Sequence, residues 1–346
     1  MVKKIAFFNH KGGVSKTTTA FNVGWMLAEK GKKVLLIDAD PQCNLTGLIM
    51  GYTTTDLEDY YTKNPGKNIK DGLSRAFESQ PKMIEGVECV KVDDGGNLFL
   101  LPGHIKLAEY DVTLGIAQEL TGSLHALRNL PGSINFLIME TAKKYNAEYI
   151  IIDMSPSLSS LNQNLLMISD YFIVPTSPDY YSVMAIDSLS SILKRWTIWA
   201  KQAQSSPVLK DANYVFPKTT PKFLGIIIQK YRKKYGVNPS KGFQHWFDEI
   251  NTIVNKKLIP TLNELNIMCP KEIYPKNYCI AEIPEFNTLI AVSQESQKPV
   301  FSLNDDDIKH TGIVLDRDLE NVKMFHDIFS QLTDTIIGIT NDPNCP

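Results

Sequence analysis

The stretch Asn9-His10-Lys11-Gly12-Gly13-Val14-Ser15-Lys16-Thr17-Thr18-Thr19 limits the possible folds more than any other part of the chain. It lies between a short apolar run, Ile5-Ala6-Phe7-Phe8, and a helical stretch from Thr17 to Glu29 that stops at Gly31. A buried strand, a glycine loop and a helix N-terminus in that order aim backbone N–H groups and the helix dipole at one point, where an anion such as phosphate can sit. Gly12 and Gly13 allow close backbone approach, Lys16 reaches phosphate oxygens, and Thr17 is placed to ligate Mg²⁺. The strict G-x-x-x-x-G-K-[ST] pattern fails at His10 and Ser15. A loop needing positive φ at Ser15 would carry strain of roughly 1 kcal/mol there.

Continuous Val/Ile/Leu runs recur at Val34–Ile37, Leu98–Leu101, Tyr149–Ile152, Tyr171–Val174 and Leu224–Ile228. Helical patterns cover His104–Leu120, Ser133–Tyr145 and Tyr181–Ala203. Their alternation predicts an α/β fold with a mainly parallel twisted sheet covered by helices on both faces. The stretches 52–97 and 203–222 read as insertions, the first with weak local structure and the second as a loop. The strand pattern resumes after each, so residues 1–346 read as a single domain with an acidic helical extension at about 302–346. With 43% hydrophobic and 21% charged residues the chain has ample core material, and no apolar run reaches membrane-spanning length. The five cysteines are scattered without a CxxC, which argues against a disulfide framework or thiolate metal site and fits a cytoplasmic protein.

The glycine loop resembles the deviant Walker A motif, K-G-G-x-[GA]-K-[ST], of the ParA/MinD family of P-loop ATPases. The resemblance continues at Asp38-Ala39-Asp40-Pro41-Gln42, similar to the D-x-D-P-Q box of ParA/Soj-type partition ATPases, and at Ile150-Ile151-Ile152-Asp153, similar to the Walker B strand. Ile173–Pro178 and Ile283–Val300 match in kind and order. The resemblance implies ATP and Mg²⁺ as cofactors, with Lys11, Gly12, Gly13, Val14, Ser15, Lys16, Thr17 and Thr18 around the phosphates. It implies Thr17, Asp38 and Asp153 around the metal and Asp40 on the attacking water. Lys16 would neutralise charge on the transferred phosphoryl group, and Lys11 would reach the partner's phosphates across a nucleotide-sandwich homodimer. Gln229 and Pro299 are the expected adenine contacts.

Eleven Lys/Arg and one acid fall between Lys194 and Lys241, a local charge of +10 in a chain whose total is −2. Such segregation fits a polyanion partner. The family resemblance implies non-specific double-stranded DNA bound by the ATP dimer, with Arg195, Lys222, Lys230, Arg232, Lys233 and Lys234 expected on one face. It further implies nucleoid association, plasmid or chromosome segregation, and a centromere-binding or cargo-adaptor protein that stimulates hydrolysis. A membrane-bound relative is disfavoured because residues 301–346 hold nine acids against three bases. An iron-protein-like electron carrier would need bridging cysteines that the spacing does not supply. The competing expectation is a nucleotide-dependent protein-interaction switch that positions another cargo, with little DNA binding.

Overall fold

The computed structural model describes residues 2–51, 54–120, 125–234, 238–239 and 241–345. The strands are β1 Lys3–Phe7, β2 Val34–Asp38, β3 Val90–Lys91, β4 Leu98–Leu101, β5 Tyr149–Asp153, β6 Tyr171–Thr176, β7 Lys222–Tyr231, β8 Lys233–Lys234, β9 Asn238–Pro239 and β10 Cys279–Pro284. The α-helices are α1 Lys16–Glu29, α2 Asn44–Met50, α3 Thr54–Lys63, α4 Ile69–Phe77, α5 Ala108–Glu119, α6 Leu130–Lys144, α7 Ser160–Ile168, α8 Tyr180–Ser205, α9 Pro207–Lys210, α10 Lys241–Ile253, α11 Ile259–Leu265, α12 Leu289–Ser296 and α13 Ile313–Asn341.

Eight strands form one sheet in the order β10-β7-β6-β1-β5-β2-β4-β3. Every neighbouring pair is parallel except the edge pair β3–β4. β1, β2, β5 and β6 are buried almost throughout, which explains their unbroken apolar runs: both faces of a parallel sheet are covered by helices. One core lies between the sheet and α4–α8, α10 and α11; the other joins it to α1, α12 and α13. The two cores hold the sheet rigid, so the loops leaving the C-terminal ends of β1, β2 and β5 start from fixed points.

Two expectations need correction. The 52–97 stretch is not weakly structured: it carries α3 and α4, and α4 starts at Asn68, whose side chain accepts a hydrogen bond from the Asp71 N–H. Its Thr/Asp/Lys/Gly composition hid this, because α4 buries only Ile69 and Leu73. The scattered cysteines argue against a disulfide framework, yet Cys269 and Cys345 form a disulfide across 76 residues with Cα atoms 5.0 Å apart. Nothing in the linear spacing signals that pairing.

The acidic C-terminal stretch docks on the body. α13 packs along α1 and β10, burying Phe325, Phe329, Leu332, Ile336 and Ile339; of its acids Asp318 is buried beside His310, while Asp316, Glu320, Asp327 and Asp334 are exposed. Lys30 at the end of α1 pairs with Asp334 and donates to the Ser330 hydroxyl. Among the described residues no helix is long and apolar enough to cross a membrane.

Candidate active site

The parallel register sets Asp38 of β2 directly beside Asp153 of β5, and Asp153 beside Phe7 of β1. Adjacent strand ends therefore place two carboxylates under the loop that follows β1. That loop runs into α1 through Ser15, which adopts the left-handed conformation expected for the motif's usual small residue (φ 55°, ψ 33°). Gly13 also has positive φ, at 73°. The Ser15 carbonyl accepts from both the N–H and the hydroxyl of Thr19, closing the first turn of the helix. Asn9 braces the other side: its amide donates to the Pro175 carbonyl, and its side-chain oxygen accepts from the Lys11 N–H.

Above this loop lies a cleft of about 780 Å³. One wall consists of Gly12 to Thr18; Asp40, Gln42 and Asn44 form the floor near the carboxylates; Glu285, Phe286, Asn287, Ile290 and Gln294 form the far wall. A cavity of about 820 Å³ occupies the opposite ends of the strands, against Tyr149, Tyr171, Lys222 and residues 340–345. It contains none of the loop residues, so the smaller cleft is the one that matches the chemistry.

The buried charges divide by role. Asp38 accepts from the Thr46 N–H and hydroxyl at 2.8 and 2.6 Å and from the Asp40 N–H at 3.2 Å. Burial nevertheless pushes its carboxyl up to about 6. The fit around it is close: a Cβ on Gly103 would stand 2.9 Å from the Asp38 carboxyl carbon. Asp153 is fully buried, and neither of its oxygens has a well-formed hydrogen-bond partner among the described residues. Burial and then the Asp38 charge push it up to about 8, against the opposing pull of the Thr17 hydroxyl and the Lys16 ammonium. An orphaned buried carboxylate beside Thr17 is what a hard cation would satisfy. Asp40 is raised by burial, opposed by the Gln42 N–H and by Lys16. Lys16 is lowered by burial, with Asp153 and Asp40 pulling the other way, and its ammonium donates to the Lys11 carbonyl at 3.2 Å.

Lys11 turns away from the cleft. Its ammonium pairs with Asp179 and donates to the Ser182 hydroxyl at 3.0 Å, both at the start of α8, where Asp179 also caps the helix by accepting from the Ser182 N–H. His10 joins the same helix through a 2.9 Å contact with the Ser188 hydroxyl. The Asp179-x-x-Ser182 cap was readable before an apolar helical run, but its link to Lys11, 168 positions away, was not.

The expected adenine contacts lie elsewhere. Gln229 is buried beneath the loop, accepting from the Thr19 hydroxyl at 2.9 Å and donating to the Val14 carbonyl at 3.1 Å. Both ends of its amide are thus committed to the loop. Pro299 is buried behind α1, where the next residue, Val300, donates its N–H to Asn22. Neither lines the cleft; the far wall from Glu285 to Gln294 does. That wall falls within Ile283–Val300, the stretch whose family resemblance points to the other side of the base pocket.

The expected DNA residues with described side chains, Arg195, Lys222, Lys230 and Arg232, are spread along α8 and β7. Lys222 starts β7 and Lys230 stands near its end, eight positions or roughly 26 Å further along the strand. Lys222 donates to the Asn266 carbonyl, Lys230 lines the cleft, and Arg232 pairs with Glu285 at 2.7 Å. Arg195 is exposed on α8. The side chains of Lys233 and Lys234 lie outside the described residues. β7 is a long buried strand that carries Lys222 and Lys230 to its opposite ends.

A parallel sheet with a phosphate-type loop after its central strand, and acids ending the neighbouring strands, defines a P-loop nucleotide-binding protein. A family model described as an AAA domain matches residues 2–203. The chain belongs to that family, as a ParA/Soj-type ATPase. The sporulation initiation inhibitor protein Soj of Bacillus subtilis is 34% identical over 56% of this chain and 64% of its own length. The chromosome-partitioning ATPase Soj of Thermus thermophilus is 32% identical over 56% of this chain. That match spans 62% of the Thermus protein, so less than two thirds of either Soj is covered. A plasmid partition protein of Borrelia burgdorferi, solved with AMPPNP bound, shares the fold at 18% identity, with a TM-score of 0.59, covering 97% of this chain and 99% of the other.

Proposed function

We propose that this chain is an ATP-dependent partition or positioning ATPase that uses Mg²⁺. The observation that carries the reading is the orphaned, buried Asp153 carboxylate set beside Asp38 and Thr17 under a preformed phosphate loop. Thr17 and Asp153, the latter through water, would hold the ion, with Asp38 fixed by Thr46 as its support. The bound ion would supply charge neutralisation on the phosphate oxygens. Backbone N–H groups from Gly12 to Thr18 cradle the phosphates. Lys16 stabilises charge on the transferred group, and Asp40 orients the attacking water.

In the ATP state two copies close face to face. Lys11 leaves Asp179 and Ser182 and reaches the partner's phosphates. The dimer doubles the exposed basic surface around Arg195 and binds DNA without sequence preference, because each neutralised phosphate releases counterions. A centromere-binding or cargo-adaptor protein then stimulates hydrolysis, in a nucleoid-associated, cytoplasmic setting. The dispersal of Lys222, Lys230 and Arg232 favours a second reading: a nucleotide-dependent switch whose partner is a protein and whose cargo is not DNA.

Asp40→Ala, which is expected to bind ATP without hydrolysing it, separates the two. Fluorescence anisotropy with a random duplex, with ATP and with ADP at two salt concentrations, gives the answer. Salt-sensitive binding with ATP alone supports the partition ATPase. No binding in either state, with dimers confirmed by light scattering, refutes DNA binding and leaves the protein switch.

A further inference from the structure

Lys230 stands on the lip of the cleft in a left-handed conformation (φ 61°) that a lysine adopts only when its surroundings impose it. The neighbours on both sides impose it. Gln229 is tied to Val14 and Thr19 beneath the loop. Tyr231 is buried, and its carbonyl accepts from the Glu285 N–H at 3.0 Å. The left-handed residue between these anchors turns the Lys230 side chain towards the loop, where its ammonium donates to the Gly13 carbonyl at 2.7 Å.

The charge around it is incomplete. Lys16 has Asp40 and Asp153 close by. Lys230 makes no ion pair among the described residues, and the cleft's nearby acid, Glu285, is already paired with Arg232. An ammonium has three donors, and the Gly13 carbonyl takes one. Two N–H groups and an uncompensated positive charge therefore border a cleft that is shaped for a polyphosphate and lies between the loop and the far wall.

We propose that Lys230 is a nucleotide-binding residue: its ammonium takes a phosphate oxygen of bound ATP or ADP while steadying the loop at Gly13. This rests on the reading of the cleft as an ATP site and moves Lys230 from the DNA surface to the nucleotide. The contact is made to the part common to both nucleotides, next to the Gly13 carbonyl.

The test is calorimetric titration of Mg·ADP and Mg·ATP into wild-type protein, Lys230→Gln and Lys230→Arg at two salt concentrations. Lys230→Gln retains an amide donor for Gly13 but loses the charge, so it should weaken both nucleotides by the same factor, roughly tenfold, and flatten the salt dependence of Mg·ADP binding. Lys230→Arg should stay within about threefold of wild type. The melting temperature without nucleotide should not change in either variant. Wild-type affinity for both nucleotides in Lys230→Gln overturns the inference and leaves the ATP site standing. Wild-type protein that binds neither nucleotide overturns the ATP reading itself. Loss of DNA affinity alone, measured by placing Lys230→Gln in the Asp40→Ala protein, returns Lys230 to the DNA surface.

Discussion

Replacing Asp153 by Asn should make the nucleotide-free protein more stable at alkaline pH while disabling its response to Mg²⁺. The folded Asp153 carboxyl is raised from 3.8 to about 8 by burial and by Asp38. Between those values the unfolded chain has lost the proton and the folded chain keeps it, so stability falls as pH rises from about 4 to about 8 and then levels off. At ~1.36 kcal/mol per pH unit the full interval amounts to on the order of 5 kcal/mol. Asn has nearly the same shape and no charge, but its buried amide lacks partners, a penalty of about 2 kcal/mol. The net gain at pH 8 is about 3 kcal/mol. Unfolding entropy of ~2.1 cal/mol/K per residue over 346 residues converts this to a rise of about 4 °C in Tm. Near pH 5 the two effects cancel and the curves should meet. Asp38, raised to about 6, adds its own fall in stability between about pH 4 and 6 in both proteins, so the wild type is steepest there and the variant levels off above pH 6. Thermal melts in EDTA from pH 5 to 8.5 give the comparison, and a second series with ATP and Mg²⁺ should raise Tm in the wild type and not in the variant. A variant that melts below wild type at pH 8, or shows the same pH slope, would refute the burial argument.

Ser15→Gly should stabilise the protein by about 0.5–1 kcal/mol, because relief of a left-handed non-glycine residue exceeds the extra entropy of glycine in the unfolded chain; chemical denaturation reads this, and a loss of stability would contradict it. Asp179→Asn keeps a competent cap on α8 but removes the ion pair with Lys11. In the Asp40→Ala protein with ATP it should tighten dimerisation about two- to fivefold by sedimentation, within the range of a partly exposed pair; an unchanged dimer constant would show that Lys11 is not held back by its own chain.

The sheet and the loop were legible because their signals are local. Unbroken apolar runs such as Val34–Ile37 and Tyr149–Ile152 follow from burial on both faces, and the acids that end those runs fall at one edge of a parallel sheet without further information. What escaped depends on contacts distant in sequence or on a single dihedral angle. Gln229 and Lys230 are adjacent, yet one lies sealed under the loop and the other borders the cleft. The positive φ at Lys230 decides which is which, and lysine carries no mark of it. α3 and α4 show few apolar positions because they cover an edge and bury little. The far wall of the cleft, built by residues after β10, is reached only through the family resemblance of Ile283–Val300, more than 250 positions from the loop it faces. Linear patterning has no access to such a pairing.

The packing of α13 on α1 has a consequence for biosynthesis. α1 follows the first strand, but the helix that covers its outer face begins at Ile313, and the Lys30–Ser330 contact spans 300 positions. At ~5–20 residues per second, α1 waits roughly 15–60 seconds on the ribosome before that cover exists. During this time Phe21 and the apolar positions around it lack the Phe325 and Phe329 side of their core. The phosphate loop is anchored in the first turn of the same helix, so the core beneath it is complete only once α13 has emerged.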